Sequence, residues 1–316
     1  MKEYGGYIEF ERYSGKEYYQ DAAALNCGRN CLLHLIAARK IKKISLPYFL
    51  CASVSKVCRK AGVEVRYYHI DEKFLPVFDF LPEEEEYLYI VNFYGQLGNA
   101  YLEKIRKRYG SIIIDNAQAF FQEPLQNADT IYVLRKYFGV ADGAYLATEA
   151  AGAETYDIDI SHQRMGFLLG RFEETASKYY QEYKENEDEF TELPIRKMSA
   201  LTHNLLRGID YERVKQVRKS NFQCLQKLLG DYNLLHLCEP EGPFAYPFLV
   251  EGGENLRKKL LEKKIYIPVL WPNVMNECEK NSLEYRYAQE ILPLPVDQRY
   301  TAEDMEYIAK NIKNNL

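Results

Sequence analysis

No CxxC pair occurs in this chain, and no histidine falls at finger-like spacing from two cysteines, so the usual ligand pattern of a structural zinc site is missing. The 7 cysteines are odd in number and scattered, which offers no disulfide framework and fits a reduced compartment. No apolar run approaches the ~18 residues that a membrane span needs. The opening stretch, MKEYGGYIEFERY, is charged and aromatic, with no apolar core of a signal peptide. A cytoplasmic location is the expectation. A basic excess is also lacking: Lys+Arg 41 against Asp+Glu 46 leaves a net charge of −5, which argues against nucleic acid as a partner. Internal repeats and low-complexity segments are absent.

What is present is ordinary globular material: 47% hydrophobic and 28% charged over 316 residues, with 28 tyrosines as the one excess. At about 150 residues per domain, this length suggests one large unit and a smaller one, and the pattern along the chain places them over 1–225 and 226–316. Six runs read as strands, being β-branched or aromatic: 41–46, 63–70, 87–94, 111–115, 130–134 and 144–148. Amphipathic stretches at 28–40, 51–61 and 99–109 lie between them. Helices between strands at this spacing imply βαβ crossovers, hence an α/β class with a doubly wound, mostly parallel sheet. Residues 184–190, KENEDEF, read as a solvated helix face. A long helix over about 210–229 should end at a C-cap glycine, Gly230. Beyond it, FAYPFLV, a helix at 254–264, YIPVLW and a helix at 301–313 should form a small α+β unit.

In open α/β sheets, ligands bind beyond the carboxyl ends of the strands, so the residues there are the place to look for chemistry. Ile112-Ile113-Ile114 runs into Asp115, a carboxylate that needs a cationic partner or several donors, or else caps a helix. The next strand runs into Lys136. Taken singly, such a lysine is more often a surface residue, but desolvation would lower its pKa as an imine-forming lysine requires. Asn26-Cys27-Gly28-Arg29-Asn30 opens an apolar helix whose free N–H groups suit a phosphate, with Arg29 adding a guanidinium. Together these are the three anchor points of pyridoxal phosphate (PLP): a phosphate cradle, a carboxylate for the pyridine nitrogen and a lysine.

The same segments resemble the DegT/DnrJ group of PLP-dependent sugar aminotransferases, of aspartate aminotransferase fold type I. Asn26–Leu33 looks like the group's SGTAAL segment, and Leu46 through Gly62 like its P-x-x-T-F-x-A-T…G segment. His69-Ile70-Asp71 stands for D-x-D, and Asn92-Phe93-Tyr94-Gly95 matches V-H-x-Y-G. Asp115-Asn116-Ala117-Gln118 matches E-D-x-A-Q, and Lys136 with Ala141-Asp142-Gly143-Ala144 matches K…G-E-G-G. The resemblance implies a large PLP-binding domain and a small C-terminal α+β domain. It implies Lys136 as Schiff-base lysine and proton shuttle, Asp115 on the pyridine nitrogen, Gln118 at the ring, and Gly28, Arg29 and Asn30 around the phosphate. It also implies a keto-sugar substrate, nucleotide-linked, an amino acid donor and a homodimer; no metal is expected, since His69, His162, His203 and His236 form no cluster. Three departures stand out. Cys27 and Arg29 replace Ser and Thr, Ile131 replaces a serine five residues before the lysine, and Leu50 and Cys51 fall where an aromatic should stack. Tyr48 is one candidate for that ring. Against the group the chain is short, its N-terminal helix trimmed. Trp271 is placed to cap the substrate, and His34 reads as a packed histidine. A sugar dehydratase or other PLP chemistry, or a non-catalytic binding module, are the alternatives.

Overall fold

A computed structural model describes residues 4–316. The six expected runs become β2 (Lys43–Pro47), β3 (Glu64–Ile70), β5 (Tyr87–Val91), β6 (Ile112–Asp115), β7 (Asp129–Val133) and β8 (Ala144–Ala147), joined by two short strands not expected, β1 (Ala23–Leu25) and β4 (Pro76–Val77). Between and after them lie α1 (Gly28–Ala38), α2 (Ala52–Lys60), α3 (Asn99–Tyr109), α4 (Gly166–Glu173), α5 (Tyr180–Glu189), α6 (Ala200–Arg207) and α7 (Tyr211–Leu229). These strands form one sheet in the order β1-β8-β7-β6-β5-β2-β3-β4. Its centre, β7-β6-β5-β2-β3, is parallel, as the intervening helices require. The edges are antiparallel: β8 returns beside β7, β1 pairs with β8, and β4 folds back on β3. β5 and β6 carry the continuous burial of strands covered on both faces, with Leu88, Ile90, Ile113 and Ile114 fully inaccessible.

The remaining chain adds α8 (Gly253–Glu262), α9 (Val274–Glu277), α10 (Leu283–Glu290) and α11 (Ala302–Lys313), with β9 (Ala245–Leu249) paired antiparallel to β10 (Ile291–Pro295). One detail departs from expectation. YIPVLW is not a strand; β9 pairs instead with ILPLP, whose prolines mask it as a strand, Pro293 facing Pro247 across the ladder. The long helix does end at Gly230 as expected, its φ of −56° leading on into a tight turn, Gly230–Tyr232. A second core gathers Phe222, Leu225 and Leu229 of α7 with Phe248, Leu292, Met305 and Ile308. α11 begins at a capping box, in which Thr301 and Asp304 bond each other's backbone N–H.

The tyrosine excess acquires a reason. Tyr18, Tyr19, Tyr132, Tyr145 and Tyr211 pack with Phe120 and Phe121 into a third apolar cluster. In it Tyr19 stacks on Tyr132 at 4.4 Å, and both hydroxyls donate to the Gln122 carbonyl. A phenol fills core volume while still meeting a carbonyl that a phenylalanine would leave bare. Among the described residues, no helix is long and apolar enough to cross a membrane.

Candidate active site

β6 and β7 lie side by side, so their carboxyl ends deliver Asp115 and the turn 134–136 to one crevice. Asp115 is 9% exposed; the Tyr89 hydroxyl donates to its Oδ2 at 2.9 Å and the Ala117 N–H to its Oδ1 at 2.9 Å. Burial raises the Tyr89 phenol well above its ordinary range, and the Asp115 charge adds to that, so the hydroxyl stays a donor. Each carboxylate oxygen has a second lone pair, which leaves room for one more donor.

Leu134, fully buried, anchors the turn and throws Lys136 into the crevice. Lys136 is exposed at its surface, yet the protein around it desolvates its ammonium. Desolvation there lowers its pKa, while Asp115 and Cys51 oppose the shift by favouring the ammonium. The Phe244 ring lies 5.7 Å from Nζ. The next carbonyl, that of Tyr137, is clamped by two donors, Arg218 Nη2 at 3.2 Å and Gln298 Nε2 at 2.8 Å.

Gln118 is 2% exposed. Its Oε1 accepts the Tyr94 N–H at 2.7 Å, and its Nε2 has no partner among the described residues. Tyr94 is held at a φ of 53° by this contact and by a tight loop in which Asn92 bonds Asn116, Gln122 and the Leu97 N–H. A buried amide with free hydrogens calls for an acceptor that the chain itself does not supply.

At the start of α1 the cap is Cys27, extended and without a side-chain hydrogen bond, and no acidic residue occupies the first turn. Gly28 is forced by packing: a Cβ there would stand 2.7 Å from Val133 Cγ2. Arg29 reaches away from the crevice to Thr191 Oγ1 and the Glu187 carbonyl, both at 3.1 Å. Asn30 is likewise committed, its amide donating to Asn26 Oδ1 at 2.8 Å and the Pro194 carbonyl at 2.9 Å. Arg135 stands in their place: its charge acts on Cys27 and Arg29, its guanidinium covers the Phe190 ring at 4.3 Å, and Nη1 pairs with the Glu187 carboxylate.

Cys51 joins Lys136 in the crevice, whereas Tyr48 stacks on Tyr67 at 5.0 Å and meets His69 at 4.7 Å on the neighbouring strand. Trp271, at a φ of 57°, packs edge-on to Phe49 at 4.6 Å and against Phe93. Asn273 completes the seam, donating to the Leu50 carbonyl and accepting the Ala52 N–H. His34 is buried and bonded to Tyr156. Sequence reasoning missed Tyr89, Arg135, Glu187, Arg218 and Phe244. Only Arg135 carried a usable signal, a second cation beside the lysine at a strand end.

No family model matches this chain, and no curated protein matches it. Solved structures do. The sugar aminotransferase CalS13 of Micromonospora echinospora superposes with a TM-score of 0.63 at 14% identity, over 93% of this chain and 87% of that one. NtdA of Bacillus subtilis, solved with bound PMP, gives 0.65 at 16% identity over 94% and 73%. The chain has their fold. A DegT/DnrJ/EryC1/StrS aminotransferase of Brucella abortus agrees, with a TM-score of 0.62 at 15% identity over 93% of this chain and 85% of that one. The mixed α/β architecture expected from the strand pattern, that of the PLP transferases, is therefore the one observed. At these identities the likeness concerns the fold, and chemistry must come from the side chains.

Proposed function

We propose that this chain is a PLP-dependent aminotransferase of the DegT/DnrJ type, acting on a nucleotide-linked keto sugar with an amino acid as donor. One observation carries the reading: the orphaned Gln118 Nε2 lies one turn beyond Asp115, at the strand end beside Lys136. The three side chains fit the cofactor's needs. The spare lone pairs of Asp115 suit a protonated pyridine nitrogen, the Gln118 amide suits an acceptor on the ring, and Lys136 supplies an amine with a lowered pKa. The α1 terminus suits the phosphate.

When bound, the cofactor supplies an electron sink for breaking the bond to a substrate α-hydrogen. The chain's residues do the rest. Asp115, oriented by Tyr89 and the Ala117 N–H, holds a proton on the pyridine nitrogen. Lys136 Nζ, partly desolvated and so nearer neutrality, accepts and returns a proton at the reacting carbon. Phe244 walls the cleft beside Lys136 Nζ.

The test is borohydride reduction of the purified chain with PLP, followed by peptide mapping. A pyridoxyl adduct on Lys136, lost in Lys136→Ala, is expected; no visible absorbance band and no adduct would sink the proposal. Product analysis with keto-sugar nucleotides then separates amination from dehydration. A homodimer is part of the proposal, supported by the apolar surface that Leu169, Phe172 and Tyr180 expose on α4 and α5. A monomer by analytical ultracentrifugation would remove that part.

A further inference from the structure

The phosphate end of the cleft departs from a hydroxyl-lined cup. Where a serine would stand, Ile131 is 1% exposed and packs toward Gly28. The caps of Arg29 and Asn30 point into the 187–194 segment, and Cys27 is fully buried. That leaves little polar side-chain surface from α1 itself. Two cations converge there instead. Arg135 is 12% exposed in its side chain, and its buried Nε has no partner among the described residues. Its Nη1 pairs with the Glu187 carboxylate, and its Nε keeps a donor to spare. Arg29 grips the same residue by its carbonyl. Glu187 thus sets a carboxylate on the arginine fork, and the charge of Arg135 itself acts on Cys27 at the start of α1.

We infer that Arg135 is the phosphate ligand of this chain, and that Glu187 is an internal anion which the cofactor phosphate displaces. The inference rests on the PLP reading above. Three features make the exchange cheap. The guanidinium stays paired throughout, trading one anion for another of higher charge and with more acceptor oxygens. Glu187 is already 32% exposed, so its released carboxylate reaches water. The helix that bears it is lightly held: Asn186 is the one buried residue of α5, bonded to the Ala141 carbonyl. The run of acidic residues that reads from sequence as a solvated face thereby gains a specific member, set against the cofactor's anchor.

The experiment compares two ligands that differ only in the phosphate, PLP and pyridoxal, by titration calorimetry on the full chain. Wild type should prefer PLP. Arg135→Met should weaken PLP by about tenfold or more, as loss of charge-assisted bonds implies, and leave pyridoxal unchanged. Glu187→Gln should tighten PLP and leave pyridoxal unchanged. Arg135→Lys, which keeps the charge without the fork, should fall between and serves if the methionine variant does not fold. A phosphate preference undiminished in Arg135→Met, or one at full wild-type strength in Arg135→Lys, or a Glu187→Gln variant with wild-type affinity, overturns this inference while the PLP reading stands. Wild type binding neither aldehyde overturns both.

Discussion

Replacing Arg218 by methionine tests how the lysine is held. Arg218 lies on α7, is 1% exposed, and has no carboxylate hydrogen-bonded to it among the described residues. It donates to the Pro243 carbonyl at 3.0 Å, the Tyr137 carbonyl at 3.2 Å and Gln298 Oε1 at 2.9 Å, and covers the Tyr137 ring at 4.4 Å. Methionine refills most of the volume but none of these bonds. Tyr137 keeps its second donor, Gln298 Nε2, so its carbonyl is not orphaned. The Pro243 carbonyl and the Gln298 oxygen lose the arginine. Bonds from a charged donor contribute about 1.5–3 kcal/mol each, and relief of the buried charge's desolvation offsets part of their loss. The net expectation is a destabilisation of about 2–4 kcal/mol, read by urea unfolding at constant m-value. Lysine at this position should recover about half. The carbonyls that lose the arginine are those of Tyr137, next to Lys136, and Pro243, next to Phe244, so labelling of Lys136 by an amine reagent should change in the same variant. A stability loss under about 1 kcal/mol would show that water satisfies these carbonyls and that the clamp is dispensable.

Gly28→Ala should destabilise the chain by about 1–3 kcal/mol, because its methyl would meet Val133 Cγ2 at 2.7 Å; wild-type thermal stability would show that α1 can back away. Burial pushes the Cys58 thiol up to about 12, so at pH 8 only about one part in ten thousand is thiolate. Mass spectrometry after iodoacetamide should find exposed Cys238 modified and Cys58 intact, and equal modification in the native state would refute the packing around α2. Burial pushes the Glu17 carboxyl upward, but hydrogen bonds from His203 and Tyr145 and the nearby His203 and Arg207 charges prevail, leaving it below the ordinary range. A lowered carboxylate contributes stability above its unfolded value and loses it as pH falls through the folded one. The stability gap between wild type and Glu17→Gln should therefore close below about pH 4; a gap constant down to pH 3 would contradict the ion pair.

Strand ends were the legible part of the site. Asp115, directly after three apolar residues, and Lys136, just past the apolar run of the next strand, each have a bland reading alone and become telling only as a pair at adjacent strand ends. The parallel centre of the sheet was equally plain from its alternation with helices. β10 escaped because two prolines in five residues argue against a strand, and only its pairing with Pro247 of β9 accommodates them. Glu187 and Arg218 were invisible for another reason. Each acts across more than fifty residues of sequence, and nothing in a charged helix face tells which member turns inward. Tyr48 illustrates the limit at short range: in the segment 48–51, the ring meets β3 while the thiol of Cys51 shares the crevice with Lys136.

The antiparallel edge has a kinetic meaning. β1 completes the sheet only by meeting β8, and the Asn26 carbonyl by receiving the Gly143 N–H, across most of the first half of the chain. Loop-closure entropy makes such a pairing late, whereas β2, β3, β5 and β6 join through nearer crossovers. The lysine's own strand therefore lies next to the last seam to close and the first to open. Amides of β8 should exchange with solvent by partial opening at a lower free energy than those of β5 and β6, so that the reactive end of the sheet borders its least cooperative margin.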